Sequence, residues 1–381
     1  MITLLGGEIL SALGDKNERL QHLSDGTYCS IKRDMTTIMG EELSFDYYSI
    51  DEGERNSALS IPLHYLEEAV QRAIDKLGLS ADALSRCGLF FGSASNDLSL
   101  SLPLGQNYDN SQVETVGCER IGNGFYTDHL TKHFGLHHFS LTYNTACTSS
   151  ANAVIDAASM LEGGIIDYAL VIGFEMFSPV SFEGFVSMQL LSPAKIAPFD
   201  RDRSGIILGE AISALFMSRD DVAPSPWVFL GSASNCETYS VTGANPDGSG
   251  IAEVVGAALD NADVTAEDIN AVKAHGTASA LNDTAEINGM KKLFKEAPDF
   301  FSLKPYIGHT LGSCGSSELL LTMECVDAGF IPGTPNFVTV DEELAWEPLY
   351  EKKACKNGSF MLNYFGFGGN NTSIVIEKAR S

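Results

Sequence analysis

Apolar positions along the chain follow two periods in alternation. Segments with helical spacing, such as PLHYLEEAVQRAIDKLGL (62–79), ANAVIDAASMLEGG (151–164) and GIAEVVGAALDNA (250–262), alternate with short apolar runs containing β-branched residues: CGLFF (87–91), YALVIGFE (168–175), INAVKA (269–274) and TSIVIE (372–377). The first kind predicts amphipathic helices, and the second predicts strands covered on both faces. An α/β layered fold follows.

The order of these elements occurs twice. Residues 62–97 read as a helix, a turn, a strand and GSASND, and residues 250–283 repeat that plan, ending in GTASALND. FSLTYNTACTSS (139–150) then leads into a helix of small residues, and FSLKPYIGHTLGSCGSS (301–317) leads into ELLLTMECVDAG. We therefore read two duplicated halves, 1–220 and 221–381, sharing one core because no Pro- or Ser-rich linker separates them. Duplication sets equivalent strand ends side by side, where a crevice between them can hold a ligand.

Composition narrows the function. The 381 residues carry a formal charge of −26, which repels phosphate backbones at long range and excludes nucleic acid as a partner. No apolar run reaches the length of a bilayer span, and MITLLGGEIL has no basic segment ahead of its apolar stretch, so no membrane insertion is expected. The eight cysteines lack CxxC pairs or ligand-like spacing with His, which argues against a disulfide framework or a structural zinc site and points to a reducing, cytoplasmic setting.

Candidate chemistry gathers at three turns. Cys147 lies where a polar, small-residue turn runs into a helix, a position whose free amides are expected to favour the thiolate. His275 ends the strand NAVKAH just before Gly276 and Thr277, and His309 stands in the turn after Lys304, at a place in the second half comparable to that of Cys147. Lys304 and Glu318 flank His309 and are expected to form a charged pair ordering the site. NYFGFGGNN (363–371) lacks the spacing and the Lys of a phosphate-binding loop and reads as a flexible lid.

These segments resemble, across nearly the whole chain, the β-ketoacyl-acyl carrier protein synthases of the thiolase superfamily. TACTSS is similar to their nucleophile motif, APFDRDRSGIILGEA to their central acidic segment, VKAHGTAS to the first histidine motif, SLKPYIGHTLGSCG to the lysine and second histidine motif, and NYFGFGGNN to the C-terminal glycine loop. The resemblance implies a five-layered αβαβα fold and a decarboxylative Claisen condensation. An acyl group passes from a carrier protein to Cys147, and malonyl-carrier protein then loses carbon dioxide and attacks the thioester.

His275 and His309 would stabilise the enolate, with Lys304 beside them. The amides of Cys147 and Phe367 would form an oxyanion hole, with Phe367 also gating the acyl pocket. Thr277, Ser279 and Phe365 would contact substrate, and Asp283, Glu286 and Glu318 would support the site from behind.

No cofactor is implied beyond the phosphopantetheine arm that the carrier brings. The partners implied are an acyl carrier protein and a second synthase chain, identical in a homodimer or homologous in a heterodimer. Carriers are acidic, so docking needs a local basic patch, for which Arg55, Arg72, Lys76, Arg120 and Lys132 are the candidates.

The Cys, His, His set resembles elongating synthases rather than thiolases, which place a second Cys near the position of His309, or acyl-CoA-dependent initiators, which place an Asn there. Ser279, Asn282 and Asn370 depart from the family pattern, and the chain is shorter than typical relatives; these features point to a specialised synthase of a polyketide, aryl polyene or modified fatty acid pathway. The alternative is a catalytically silent or weakly active chain-length partner in a heterodimer, against which retention of Cys147 stands.

Overall fold

The computed structural model describes residues 1–29, 31–38, 41–51, 60–95, 122–137 and 139–379. The first half contains β1 (Ile2–Ser11), α1 (Lys16–Asp25), the hairpin β2 (Ile31–Ile38) and β3 (Glu41–Tyr47), α2 (Ser60–Leu77), α3 (Ala81–Ser85), β4 (Cys87–Gly92), α4 (Asn123–Phe134), β5 (Ser140–Tyr143), α5 (Ser149–Glu162), β6 (Tyr168–Glu175), α6 (Pro179–Ser187) and β7 (Ala211–Arg219). The second contains β8 (Trp227–Cys236), α7 (Ser249–Ala262), β9 (Ile269–Lys273), α8 (Ala280–Lys291), β10 (Phe300–Phe301), α9 (Lys304–Ile307), α10 (Cys314–Asp327), β11 (Phe330–Ile331), β12 (Lys353–Ala354), β13 (Gly358–Phe365) and β14 (Asn370–Lys378). Local chemistry sets several ends: Asp15 and Glu18 form a capping box on α1, and Ser178 caps α6 ahead of Pro179.

The sheet order is β10-β9-β13-β14-β8-β1-β7-β6-β4-β5. It is mirrored about its centre: β8, β14, β13, β9 and β10 repeat β1, β7, β6, β4 and β5, with antiparallel and parallel pairings in the same places. Within the large sheet, among the described residues, the halves meet where β1 pairs with β8, at Ile2↔Phe229 and Thr3↔Val228. The expected break at 220/221 lies in the β7–β8 connection.

Among the described residues, three large cores lie between the layers, beside a small fourth cluster around Tyr48 and Ile207. Strand alternation sends Phe90, Val171 and Ala271 into a central core with α5 and α10, while Leu89, Phe91 and Leu170 face an outer core with α2 and α4, and Val272 faces another with α7 and α8. The family's αβαβα layering is therefore present.

The central helices cross closely because their first turns carry no bulk. A Cβ on Gly315 would lie 2.1 Å from the Ala151 amide nitrogen, so only glycine permits this contact. The whole of α10 from Cys314 to Val326 is buried, Glu318 and Glu324 included.

Candidate active site

Cys147 sits in a tight turn, Ala146–Thr148, that opens α5. The corresponding turn of the second half, Leu311–Ser313, opens α10. Each begins with a non-glycine residue in the left-handed region, Ala146 at φ 52° and Leu311 at φ 41°, the kind of local strain that a surrounding structure must hold in place. The match makes Gly312 the counterpart of Cys147. His309 stands three residues earlier than the place read for it, after Gly308 at φ 70°. Its backbone is clamped: its N–H donates to Ile207 O (2.7 Å) and its carbonyl accepts from Gly209 N (3.1 Å).

The structure brings three of the anticipated residues together. His309 Nε2 lies 3.1 Å from Cys147 Sγ, and the His275 and His309 rings stand 5.4 Å apart, edge to face. Hydrogen bonds at the far nitrogens assign the tautomers. Leu311 N–H donates to His309 Nδ1 (3.2 Å), and the Lys304 ammonium approaches His275 Nδ1 at 3.4 Å. Both Nδ1 atoms are thus acceptors, which leaves each Nε2 carrying the proton and available as a donor. Burial first, then the Lys304 charge, pushes both imidazoles well below their usual pKa, so neutral rings are the stable form.

Cys147 corrects the sequence expectation. Burial pushes the thiol up to about 11, against the Lys304 ammonium and the backbone amides of Phe367 and of Cys147 itself. With only 5% of the residue exposed, desolvation outweighs the helix N-terminus. The resting group is a thiol, and the proton must leave when the sulfur is acylated.

Beneath the imidazoles lies a charged triad. Glu318 accepts from Lys304 Nζ at 2.8 Å, as expected, and from Lys273 Nζ at 2.6 Å, and all three side chains are fully buried. Lys273 also donates to Asn363 O (2.6 Å) and lies 3.7 Å over the Tyr364 ring. Burial would raise Glu318, but the two ammonium groups hold it below the usual carboxylate range. Lys304 stays above its ordinary value despite burial, whereas burial pulls Lys273 down. Lys273 was missed in the sequence, although a lysine inside the apolar run INAVKA was the available signal.

Carboxylates hold the loops in place. Glu286 accepts His275 N (2.8 Å) and Gly276 N (2.9 Å), and Asp283 accepts Thr277 N (3.0 Å) and Phe199 N (2.8 Å). Glu175, also missed, ends β6 and accepts from the amides of Ala94, Ser95 and Gly312 and from the Ser95 hydroxyl. It thereby fastens the β4 end to the turn before α10.

A cleft of about 130 Å³ runs from Cys147, His275 and His309 past Thr277 and Ser279, with Phe365 and Phe367 on its wall. Phe365 packs 5.9 Å from the His275 ring, and Phe367 stacks on Phe185 at 5.6 Å. The segment read as a flexible lid is instead a hairpin. Asn363–Phe365 finish β13, Asn370 begins β14, and only Gly366–Gly369 connect them, because the flanking residues complete an antiparallel ladder.

The basic candidates lie elsewhere. Arg72 pairs with Glu68, Lys76 bonds Gly7 O and Glu324, and Lys132 is exposed on α4; none lines the cleft. Arg55 and Arg120 lie outside the described residues. No helix among those residues is long and apolar enough to cross a membrane.

Comparison with known proteins fits this geometry. The family model described as the N-terminal domain of beta-ketoacyl synthase matches residues 28–223, and that of the C-terminal domain matches residues 227–338. The chloroplastic 3-oxoacyl-[acyl-carrier-protein] synthase I of Hordeum vulgare is 27% identical over 90% of this chain and 79% of its own. Among solved structures, a ketosynthase in complex with its chain length factor from Xenorhabdus doucetiae superposes with a TM-score of 0.83 at 24% identity, over 99% of this chain and 98% of that one. A type II polyketide ketosynthase in complex with its acyl carrier protein reaches 0.87 at 19% identity, covering 99% of each chain. At such identities these structures speak to the fold.

Proposed function

Since the chain belongs to the β-ketoacyl synthase family, we propose that it is an active condensing enzyme, in which Cys147 carries an acyl group that is extended by malonyl-acyl carrier protein. The observation that carries this reading is the meeting of one sulfur with two neutral imidazoles that carry their protons on Nε2, that of His309 facing the sulfur at 3.1 Å.

In the first half-reaction Cys147 Sγ attacks the thioester of an acyl-carrier protein, the C–S bond to the phosphopantetheine arm breaks, and the thiol proton leaves with the departing thiolate. The amides of Cys147 and Phe367, backbone groups that favour negative charge at this position, would hold the oxyanion. In the second, the malonyl carboxylate is lost as carbon dioxide, and its bonding electrons pass into the thioester as an enolate. His275 and His309 donate hydrogen bonds to that enolate oxygen, each contributing about 3 kcal/mol. The α-carbon then attacks the acyl-Cys147 carbonyl, the C–S bond breaks, and the released thiolate takes a proton from solvent to restore the thiol. Lys304 orients His275 by its 3.4 Å approach to Nδ1, while the amide-bonded carboxylates of Asp283 and Glu286 hold the histidine loop.

The carrier's arm would enter past Thr277 and Ser279, and the protein needs no resident cofactor. Among the described residues β5 is the last strand of the sheet and pairs with β4 alone, an edge suited to a second synthase chain, identical or homologous. Ser279, Asn282 and Asn370 favour a specialised substrate, and the reducing setting read from the cysteines favours the cytoplasm.

Mass spectrometry after incubation with a panel of acyl-carrier proteins tests this. One acyl adduct is expected on Cys147, discharged as the extended product when malonyl-carrier protein is added and absent from C147A. An unmodified Cys147 across the panel would favour the silent partner instead, and efficient extension of ordinary saturated primers would refute specialisation.

A further inference from the structure

On the outer helical layer of the first half, away from the cleft, three side chains converge that the condensing chemistry does not use. His129 and His133 project one turn apart from α4, and Glu67 meets them from α2. His129 Nε2 lies 2.6 Å from Glu67 Oε1, and His133 Nδ1 lies 3.5 Å from the same oxygen. All three ligand-type atoms fall within 4.8 Å of one another, and the two imidazoles are near-parallel, 5.7 Å apart.

The frame is rigid where it needs to be. Leu66, Ala69, Val70 and Ala73 of α2 and Tyr126 and Leu130 of α4 share one buried core, so the residues beside Glu67 and His129 cannot drift. His133 is further oriented by an edge contact with Phe134 at 4.7 Å.

We propose that Glu67, His129 and His133 form a binding site for a divalent transition cation of the zinc class, which clamps α2 to α4. Two imidazoles and one carboxylate are a recurrent zinc ligand set, and bonds of about 2.0–2.2 Å hold such ligand atoms about 3.4 Å apart in a tetrahedron. Glu67 and His133 already stand at that separation, and small rotations about the side-chain torsions bring His129 into place. Side-chain exposures of 33%, 30% and 46% for Glu67, His129 and His133 leave a face open for water as a fourth ligand. The imidazole and carboxylate donors favour zinc, nickel or copper over magnesium or calcium, and the net charge of −26 attracts any cation. The clamp would act on α4, the helix that precedes edge strand β5 in the chain, so bound metal would stiffen the approach to that edge. Its existence does not depend on the condensing activity.

Untagged full-length protein stripped with EDTA and titrated with ZnCl2 by calorimetry, and with CoCl2 by absorption, tests this. One equivalent should bind, the cobalt spectrum should lack a thiolate charge-transfer band, and Glu67→Gln, His129→Ala and His133→Ala should each weaken binding at least tenfold. ZnCl2 should raise the melting temperature of the parent protein and not that of the variants. Glu67→Gln preserves size at a half-exposed position, so it decides the matter should a histidine variant fail to fold. No saturable binding, binding that survives His129→Ala/His133→Ala, or a thiolate band that assigns the ion to cysteines would overturn the proposal.

Discussion

Removing the charge of Glu318 while keeping its shape isolates what the buried triad contributes. Its two oxygens each accept from an ammonium group, at 2.6 Å from Lys273 and 2.8 Å from Lys304, with nothing exposed. Two positive charges share one negative charge, so the wild-type cluster is net +1; Glu318→Gln makes it +2 and Lys273→Met makes it neutral. Breaking a buried ion pair from one side costs about 3–5 kcal/mol, because the remaining charge has no counterion. Lys273→Met leaves Glu318 paired with Lys304, and its main loss is the bond to the buried Asn363 carbonyl, about 1–3 kcal/mol. The double variant returns to net +1, so its loss should fall short of the sum of the singles by about 1 kcal/mol or more. Urea unfolding followed by the fluorescence of Trp227 and Trp346 reads all four proteins. Should Lys273→Met cost as much as Glu318→Gln, or should the two losses add, the charge argument fails.

Three further outcomes follow from the same structure. Gly315→Ala would place a Cβ 2.1 Å from the Ala151 amide nitrogen, a backbone clash that cannot relax by side-chain rotation; a loss of about 3 kcal/mol or more is expected in chemical denaturation. Burial raises Glu175 from 4.5 to about 7, so between these pH values the folded chain holds a proton that the unfolded chain has released. The stability of the wild type relative to Glu175→Gln should therefore fall as pH rises through that window, by about 1.4 kcal/mol per pH unit at most, and parallel pH–stability curves would contradict it. Both active-site imidazoles are held well below 6.5 by burial and by Lys304, so the acid limb of malonyl decarboxylation should lie well under pH 6.5; a limb at the ordinary histidine value would show that the rings are not neutral by burial.

Local pattern was enough to read the duplicated strand–helix plan, the segments YALVIGFE and GIAEVVGAALDNA, and the three turns bearing Cys147, His275 and His309, because periodicity and small-residue turns are properties of neighbours in the chain. The Lys304–Glu318 pair was legible for the same reason, with its members close in sequence. Tertiary structure alone decided the rest. Lys273 joins the triad because its side chain reaches Glu318 across 45 positions, and Glu175 reaches Gly312 across 137. The Cys147 thiol rises rather than falls because desolvation depends on what packs around the sulfur, and the glycine loop is a hairpin because β14 pairs with both β13 and β8. Glu67, His129 and His133 meet only through the packing of two helices. Sequence specifies which groups exist and their local conformation; the dielectric and the company each group keeps come from distant segments, and those set its charge.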